Sequence, residues 1–539
     1  MNHIKFVALV LVFALFFVSL PIIQNVTAKS SIYLREDGTV EGTDKIQRDG
    51  NVYTLIEDLS GSINPVDAFI TIEKDNIVFN GDDKTIQGTG NGIAITSSGR
   101  ANITIQNVRI VNFGIGIEFR LKNHERNTTA SSNQILNNHI ETTYFTLDIS
   151  ADNCTVSGNK LTSETNKYGV IFNCNNTVFS NNEFVASGLI IYEPLTMGNF
   201  FFDNTINGKP LICLENQSNQ IVESAAQVIL VGCNNMTVKD VKTSVDLRDT
   251  ITLFGTNNTK ISNCQGNIVL TNSHINTIFN NQLEYTASMV SYDSAAIKLS
   301  ASNNNTITDN SIVATGSFGV SLISSSYNNV QGNKISSTGQ AGVIIESTIG
   351  FTPVFNYIQE NNIVCSGDGI YFKNGVQNNF VLNNLITDCK NAIKLVSGDE
   401  NTFVANNISR SSQYAVYLAF SDNNTFYHNN FISNPVSVYE QHEFFYPFPS
   451  TYYSEGNTWD NGKEGNYWND YIGKDNNADN IGDSPYVVYE NNTDNYPLIN
   501  PVKISAIPEF SLWTVLPFIG IATLVLYSFK KKMYKTSKT

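Results

Sequence analysis

The feature that most constrains this chain is a repeat. From about Asn305 to Ser433, asparagines return in pairs five positions apart, with apolar residues between them and just after. The first members are Asn305, Asn328, Asn356, Asn378, Asn401 and Asn424, and the second are Asn310, Asn333, Asn361, Asn383, Asn406 and Asn429. Subtraction gives steps of 23, 28, 22, 23 and 23 residues, and a fixed period in that range marks a solenoid. Between the pairs, a Gly or Ala opens a strictly alternating run, as in Gly369-Ile370-Tyr371-Phe372, Ala392-Ile393-Lys394-Leu395 and Ala415-Val416-Tyr417-Leu418. Alternation is the period of a strand. Units of this length with Asn or Gly corners predict a parallel β-helix, each strand pairing with its copy one turn away at about 4.8 Å. A corner residue sits at or near positive φ, which Asn tolerates, and stacked Asn amides can bond from turn to turn.

The pairing reaches back through Asn102 with Asn107, Asn133 with Asn138, Asn176 with Asn181, Asn258 with Asn263 and Asn276 with Asn281. One solenoid over 69–433, of about fifteen turns and on the order of 70 Å long at the strand spacing, is expected. Before it, 29–68 carries the turn dipeptides Asp37-Gly38 and Asp49-Gly50 and reads as a β cap. After it, 434–503 is dense in aromatics and Asp and reads as a second cap. Residues 1–28 have the lysine, apolar run and small-residue end of a secretory signal peptide. In 504–539 an uncharged apolar stretch from Ser511 to Phe529 is followed by Lys530, Lys531 and Lys532, the pattern of a transmembrane helix with its basic end inside.

A formal charge of -15 argues against nucleic acid as a partner, since phosphate binding needs a basic stripe. Sequons such as Asn102, Asn153, Asn235, Asn257, Asn407 and Asn491 are available for glycans in an exported chain, although Asn-rich corners also generate them by chance. The seven cysteines show no metal-ligand spacing. They read as core residues, with Cys154 and Cys174 one conceivable disulfide.

The repeat, together with the string GNYWNDYIGKDNNADNIGDSPY and a following DNYPL, resembles the NosD-like right-handed β-helix family of archaeal surface proteins. The resemblance spans nearly the whole mature chain. It implies a fold shared with carbohydrate-binding proteins and sugar hydrolases, and a link to copper supply. Copper transfers poorly to this chain: it would call for clustered His, Met or Cys, whereas there are five Met and the six His are scattered. Pro508-Glu509-Phe510 looks like a PEF-type sorting signal, which implies that the apolar span is exchanged for a lipid anchor unless it is retained.

Three groups of residues are candidate sites. Asp475, Asn477, Asp479 and Asp483 follow the spacing of a calcium loop, with Asn480 and Tyr486 where an EF-hand has Gly and Glu; the alternative is a solvated Asx-turn cap. Tyr371, Lys394 and Tyr417 face outward on successive turns, in the column Lys298, Ser321, Ile344, Tyr371, Lys394, Tyr417, where aromatic faces beside a cation suit sugar rings and an acidic group. Glu118 and Asp148 fall in one column if 120–132 loops out, at a separation near that of retaining glycosidases. The expectation is an exported, membrane-tethered protein at the outer face of the cell membrane that binds glycans or envelope proteins without turnover. A polysaccharide lyase or glycoside hydrolase is the alternative, and copper delivery a second.

Overall fold

The computed structural model describes residues 31–504 except 122–130, 165–167, 192–197, 245–246, 248, 288–293, 338, 442, 445–450 and 491. Residues 1–28, read as a signal peptide, and the apolar stretch from Ser511, read as a transmembrane helix, lie outside the described residues. Among those described every regular element is a strand, and no helix is long and apolar enough to cross a membrane. Two compact units divide the chain, one up to Pro210 and one from Leu211.

In the second unit the first turns carry two short strands each, and from Gln282–Thr286 onward a third joins every turn. One turn comprises Thr402–Val404, Asn407–Ser409 and Tyr414–Ala419, and each pairs in parallel with its copy in the next turn. Strict alternation turns one side chain in two inward, where successive turns stack them: Ile307, Val330, Ile358, Val381, Phe403 and Phe426 form one column. All six are fully buried, and each contributes roughly 1.5 to 3 kcal/mol by leaving water. The first unit repeats the plan, with an eight-stranded run that starts from the antiparallel pair Ile46–Asp49 and Val52–Leu55. Gly50 and Asn51 make that turn, between the paired Asp49 and Val52, with Gly50 at φ 61°.

The asparagines that stack and those that turn the chain are different residues. The stacked ones are Asn305, Asn328, Asn356, Asn379, Asn401, Asn424 and, in a second column, Asn310, Asn333, Asn361, Asn384, Asn406, Asn429. In each, Oδ1 accepts both the backbone N–H and the side-chain N–H of the preceding turn's residue, as Asn384 does from Asn361 at 3.0 Å each. Positive φ falls one residue earlier, at Asn304, Tyr327, Phe355, Asn378, Glu400 and Asn423. Asn378 and Asn383, which the spacing placed in the ladder, are therefore corner residues and their neighbours Asn379 and Asn384 stack. Asn102, Asn107, Asn176, Asn181, Asn258 and Asn263 are likewise corner residues, all at φ between 51° and 55°, and of the residues that follow them Asn182 is the stacked asparagine. Two adjacent positions favour Asn for unrelated reasons: one needs a residue that tolerates the left-handed region, the other a buried amide with both donor and acceptor.

Both ladders run on beyond Ser433. Asn457 and Asn466 extend them, while Trp459 stacks on Phe426 and Trp468 on Phe431 at 4.6 and 4.3 Å between ring centroids. The second ladder ends on a carboxylate. Asp494 is fully buried and accepts the Asn466 backbone N–H at 2.7 Å, the Trp468 indole N–H at 2.8 Å and the Tyr496 N–H at 3.1 Å. A Cβ at Gly465 would overlap that carboxylate. The terminal string GNYW followed by DNYP is thus a structural unit: glycine for clearance, asparagine as the last rung, tryptophan as lid and donor, aspartate as the acceptor that replaces a further turn.

Candidate functional site

The outward residues of the second unit stand in columns because the pairing is parallel and in register. Lys298, Ser321, Ile344, Tyr371, Lys394 and Tyr417 occupy one column, as Cα partners turn by turn, and Tyr439 continues it. The expectation of an open face fails at Ser321 and Ile344, which are buried, Ile344 in a cluster with Ala295, Phe318 and Ala341 against which Tyr371 packs. The Lys394 ammonium lies between two rings, 4.6 Å from the Tyr371 centroid and 5.6 Å from that of Tyr417. Cation and ring quadrupole attract in this arrangement, by about 0.5 to 2 kcal/mol per ring.

A neighbouring column completes the site, and the sequence reading missed it. Asp368 Oδ2 is 3.3 Å from Lys394 Nζ, and its Oδ1 accepts the Asn391 side-chain N–H at 2.7 Å. Asn391 pairs in register with Tyr414, whose ring stacks on Tyr439 at 4.4 Å. A third column adds Glu346, whose Oε1 is 2.7 Å from Lys373 Nζ. Burial pushes the Tyr371 phenol up to about 12, with the Asp368 and Glu346 carboxylates adding to the shift. A signal for the missed residues was present: Asp368, Asn391 and Tyr414 each immediately precede the Gly or Ala that opens an alternating run. The resulting face carries four tyrosines, two cations, two carboxylates and an amide. Such a set can lay a sugar ring on an aromatic surface, bond its hydroxyls and balance an acidic substituent.

In the first unit, Glu118 and Asp148 are in register on the adjacent strands Arg109–Arg120 and His139–Ile149, and Thr96 sits before Glu118 in the same column. Thr96 donates its hydroxyl hydrogen to Glu118 Oε2 at 2.7 Å. Oε1 lies 2.7 Å from Arg120 Nη2, as an ion pair and not an aligned hydrogen bond. Arg120 stands 3.9 Å from Asp148 Oδ2. Glu118 is 3% exposed. Desolvation, reinforced by the Glu118 charge and opposed by Arg120, pushes the Asp148 carboxyl up to about 6.

The Asp475 loop uses its oxygens on itself. Asp475 accepts the N–H of Asp479 at 3.2 Å and of Asn480 at 2.8 Å. Asn477 also accepts from the Asp479 N–H, Asp479 from that of Ile481, and Asp483 from that of Asn476. These are Asx-type turns on an exposed loop. Among the described residues no group of three or more His, Cys, Asp or Glu is placed to hold a metal. The described imidazoles are engaged elsewhere: His139 and His428 each pair with a glutamate, and His274 Nδ1 accepts the Asn303 N–H. The aromatic and lysine residues are thus brought together with acids, the two first-unit acids with an arginine, and the loop residues with each other.

Residues 209–372 and 316–473 match the family model described as periplasmic copper-binding protein (NosD). Comparison with curated proteins finds no match. Among solved structures, the A-module of mannuronan C-5 epimerase AlgE6 from Azotobacter vinelandii is similar at 12% identity and TM-score 0.28, over 66% of this chain and 88% of that one. A mutant of the periplasmic alginate epimerase AlgG gives 10% identity and TM-score 0.27, over 76% and 82%. The Dettilon tailspike protein gives 15% and 0.29, over 68% and 63%. Residues 209–473, which the NosD family model matches, carry the turns and ladders of a parallel β-helix.

Proposed function

We propose that this chain is an exported β-helix, tethered at the cell surface, that binds glycan chains through the face around Tyr371, Lys394 and Tyr417 and leaves them uncleaved. The observation that carries the reading is the Lys394 ammonium held between the tyrosine rings of the turns before and after it, beside Asp368 and the stacked Tyr414 and Tyr439. The pre-set cation and ring edges lower the ordering cost that a flexible side chain would add on binding. Export is supported by the signal-peptide pattern and by the periplasmic description of the matched family. Copper delivery is not part of the proposal, because the described imidazoles are engaged elsewhere.

The test is retention of the full-length protein on a neutral glucan and on a polyuronate, with release of reducing or unsaturated ends measured alongside. Retention without new ends, weakened at least tenfold on the polyuronate by Lys394→Met, is the expected result. One observation favours a second reading: Asp148, raised to about 6 beside Glu118, is a carboxyl able to carry a proton near neutral pH. New chain ends that vanish in Glu118→Gln and Asp148→Asn would establish a hydrolase and overturn the binding reading.

A further inference from the structure

Cys365 closes the strand Asn362–Cys365, and Cys389 follows the strand Leu385–Thr387 one turn later. The two strands pair in register through Val364 and Thr387, which brings both cysteines to the same corner of successive turns. Each is a thiol in the structure, 4% and 0% exposed, and the two Sγ atoms lie 2.7 Å apart. Cys365 and Cys389 also point at the backbone carbonyl oxygens of Asp368 and Thr387, as Cys154, Cys174 and Cys264 do at those of Ala151, Ile149 and Ser262; the Sγ–Sγ contact is what this pair adds. A disulfide needs its sulfurs at about 2.05 Å and its Cα atoms about 4.4 to 6.8 Å apart, and neighbouring strands of a sheet lie about 4.8 Å apart. Little motion separates the observed pair from a bond.

We propose that Cys365 and Cys389 form a disulfide that staples two successive turns directly beneath the candidate face. Asp368 lies three residues after Cys365 and Asn391 two after Cys389, so the staple holds the two turns whose side chains meet in the Asn391 to Asp368 hydrogen bond. The oxidant is a small disulfide or a thiol–disulfide oxidoreductase, as oxidising compartments supply. One cysteine thiolate attacks a sulfur of that disulfide and expels one thiolate. The second cysteine thiolate then attacks the protein sulfur of the mixed disulfide, forming the Sγ–Sγ bond and expelling the other. The two protons lost by the cysteines end on the two thiols of the reduced oxidant. Because both sulfurs are buried in the finished stack, the exchange belongs to folding, before the turns close.

The experiment is refolding of the reduced full-length chain in mixed oxidised and reduced glutathione, followed by unfolding in N-ethylmaleimide, digestion and peptide mass analysis. The expected result is a Cys365–Cys389 linked peptide, lighter by two hydrogens than the separate peptides, with the other five of the seven cysteines alkylated. In Cys365→Ser all six remaining cysteines become alkylated. Alkylation of both Cys365 and Cys389 in refolded wild-type protein, or linkage of either to a different cysteine, overturns the proposal. The linkage is read without any glycan, so it stands or falls apart from the binding reading.

Discussion

Two outward columns, one in each unit, are made by the same rule and behave oppositely. Parallel in-register pairing places residues of equal position on top of one another, so a column amplifies whatever its sequence supplies. In the first unit it supplies Glu118 and then Asp148, and desolvation, reinforced by the Glu118 charge, drives the Asp148 carboxyl up to about 6. In the second it supplies Tyr371, Lys394 and Tyr417, and the cation is held by its neighbours and by Asp368 alongside. The stacking geometry is neutral between the two outcomes. Their difference lies in whether adjacent members attract or repel, and in whether the next column compensates: Arg120 in the first case, Asp368 in the second.

Lys394→Glu should break the contrast most strongly. It converts the aromatic column into an acid column with a carboxylate beside Asp368, which is 8% exposed. Removing the counter-charge of a buried acid costs about 3 to 5 kcal/mol, and the variant should lose about that much in urea unfolding; a loss below about 1 kcal/mol would show that Asp368 is not held by Lys394.

The second effect is on pH dependence. An acid whose folded pKa is about 6 against about 3.9 unfolded binds its proton more tightly when folded. Its contribution is therefore greatest below pH 4 and is lost as the pH rises through 6, by up to about 3 kcal/mol. Glu118→Gln removes the repulsion and leaves the desolvation, so the fall in thermal midpoint between pH 4 and 7 should shrink without disappearing. An unchanged profile would assign the whole shift to burial.

Asp494 sharpens the comparison because its rise to about 6 is caused mainly by burial, against three N–H donors, with only a weak push from Asp460. Its pH signature has the same sign as that of Asp148. Asp494→Asn should abolish it while costing about 1 to 3 kcal/mol for the mismatched amide, read as a lower midpoint with a flatter slope across pH 4 to 7. The smallest effect is expected for Tyr417→Phe. The ring face is what Lys394 meets, so stability should change by less than about 0.5 kcal/mol; a larger loss would mean that the hydroxyl carries the contact.

Much of the candidate face was legible before the fold was known. Tyr371, Lys394 and Tyr417 could be assigned to one column because a fixed turn length and a two-residue period leave no freedom in register. The cation's partner could not. Asp368 belongs to a different column, and its approach to Lys394 depends on how far apart the two columns stand across the sheet. Asn378 and Asn379 illustrate the same boundary at smaller scale: both letters are identical, and only the backbone shows which one turns the corner and which one stacks.

The sequence by itself determined the parallel β-helix, its period, its inward columns and the terminal string that closes it, because hydrophobic alternation and residue spacing are local properties that stacking merely repeats. Only the tertiary structure decided that Arg120 neutralises Glu118, that Cys365 meets Cys389, and that Asp494 ends the asparagine ladder. Each of these contacts joins residues across turns or columns, where distance and burial follow from packing and have no image in the period.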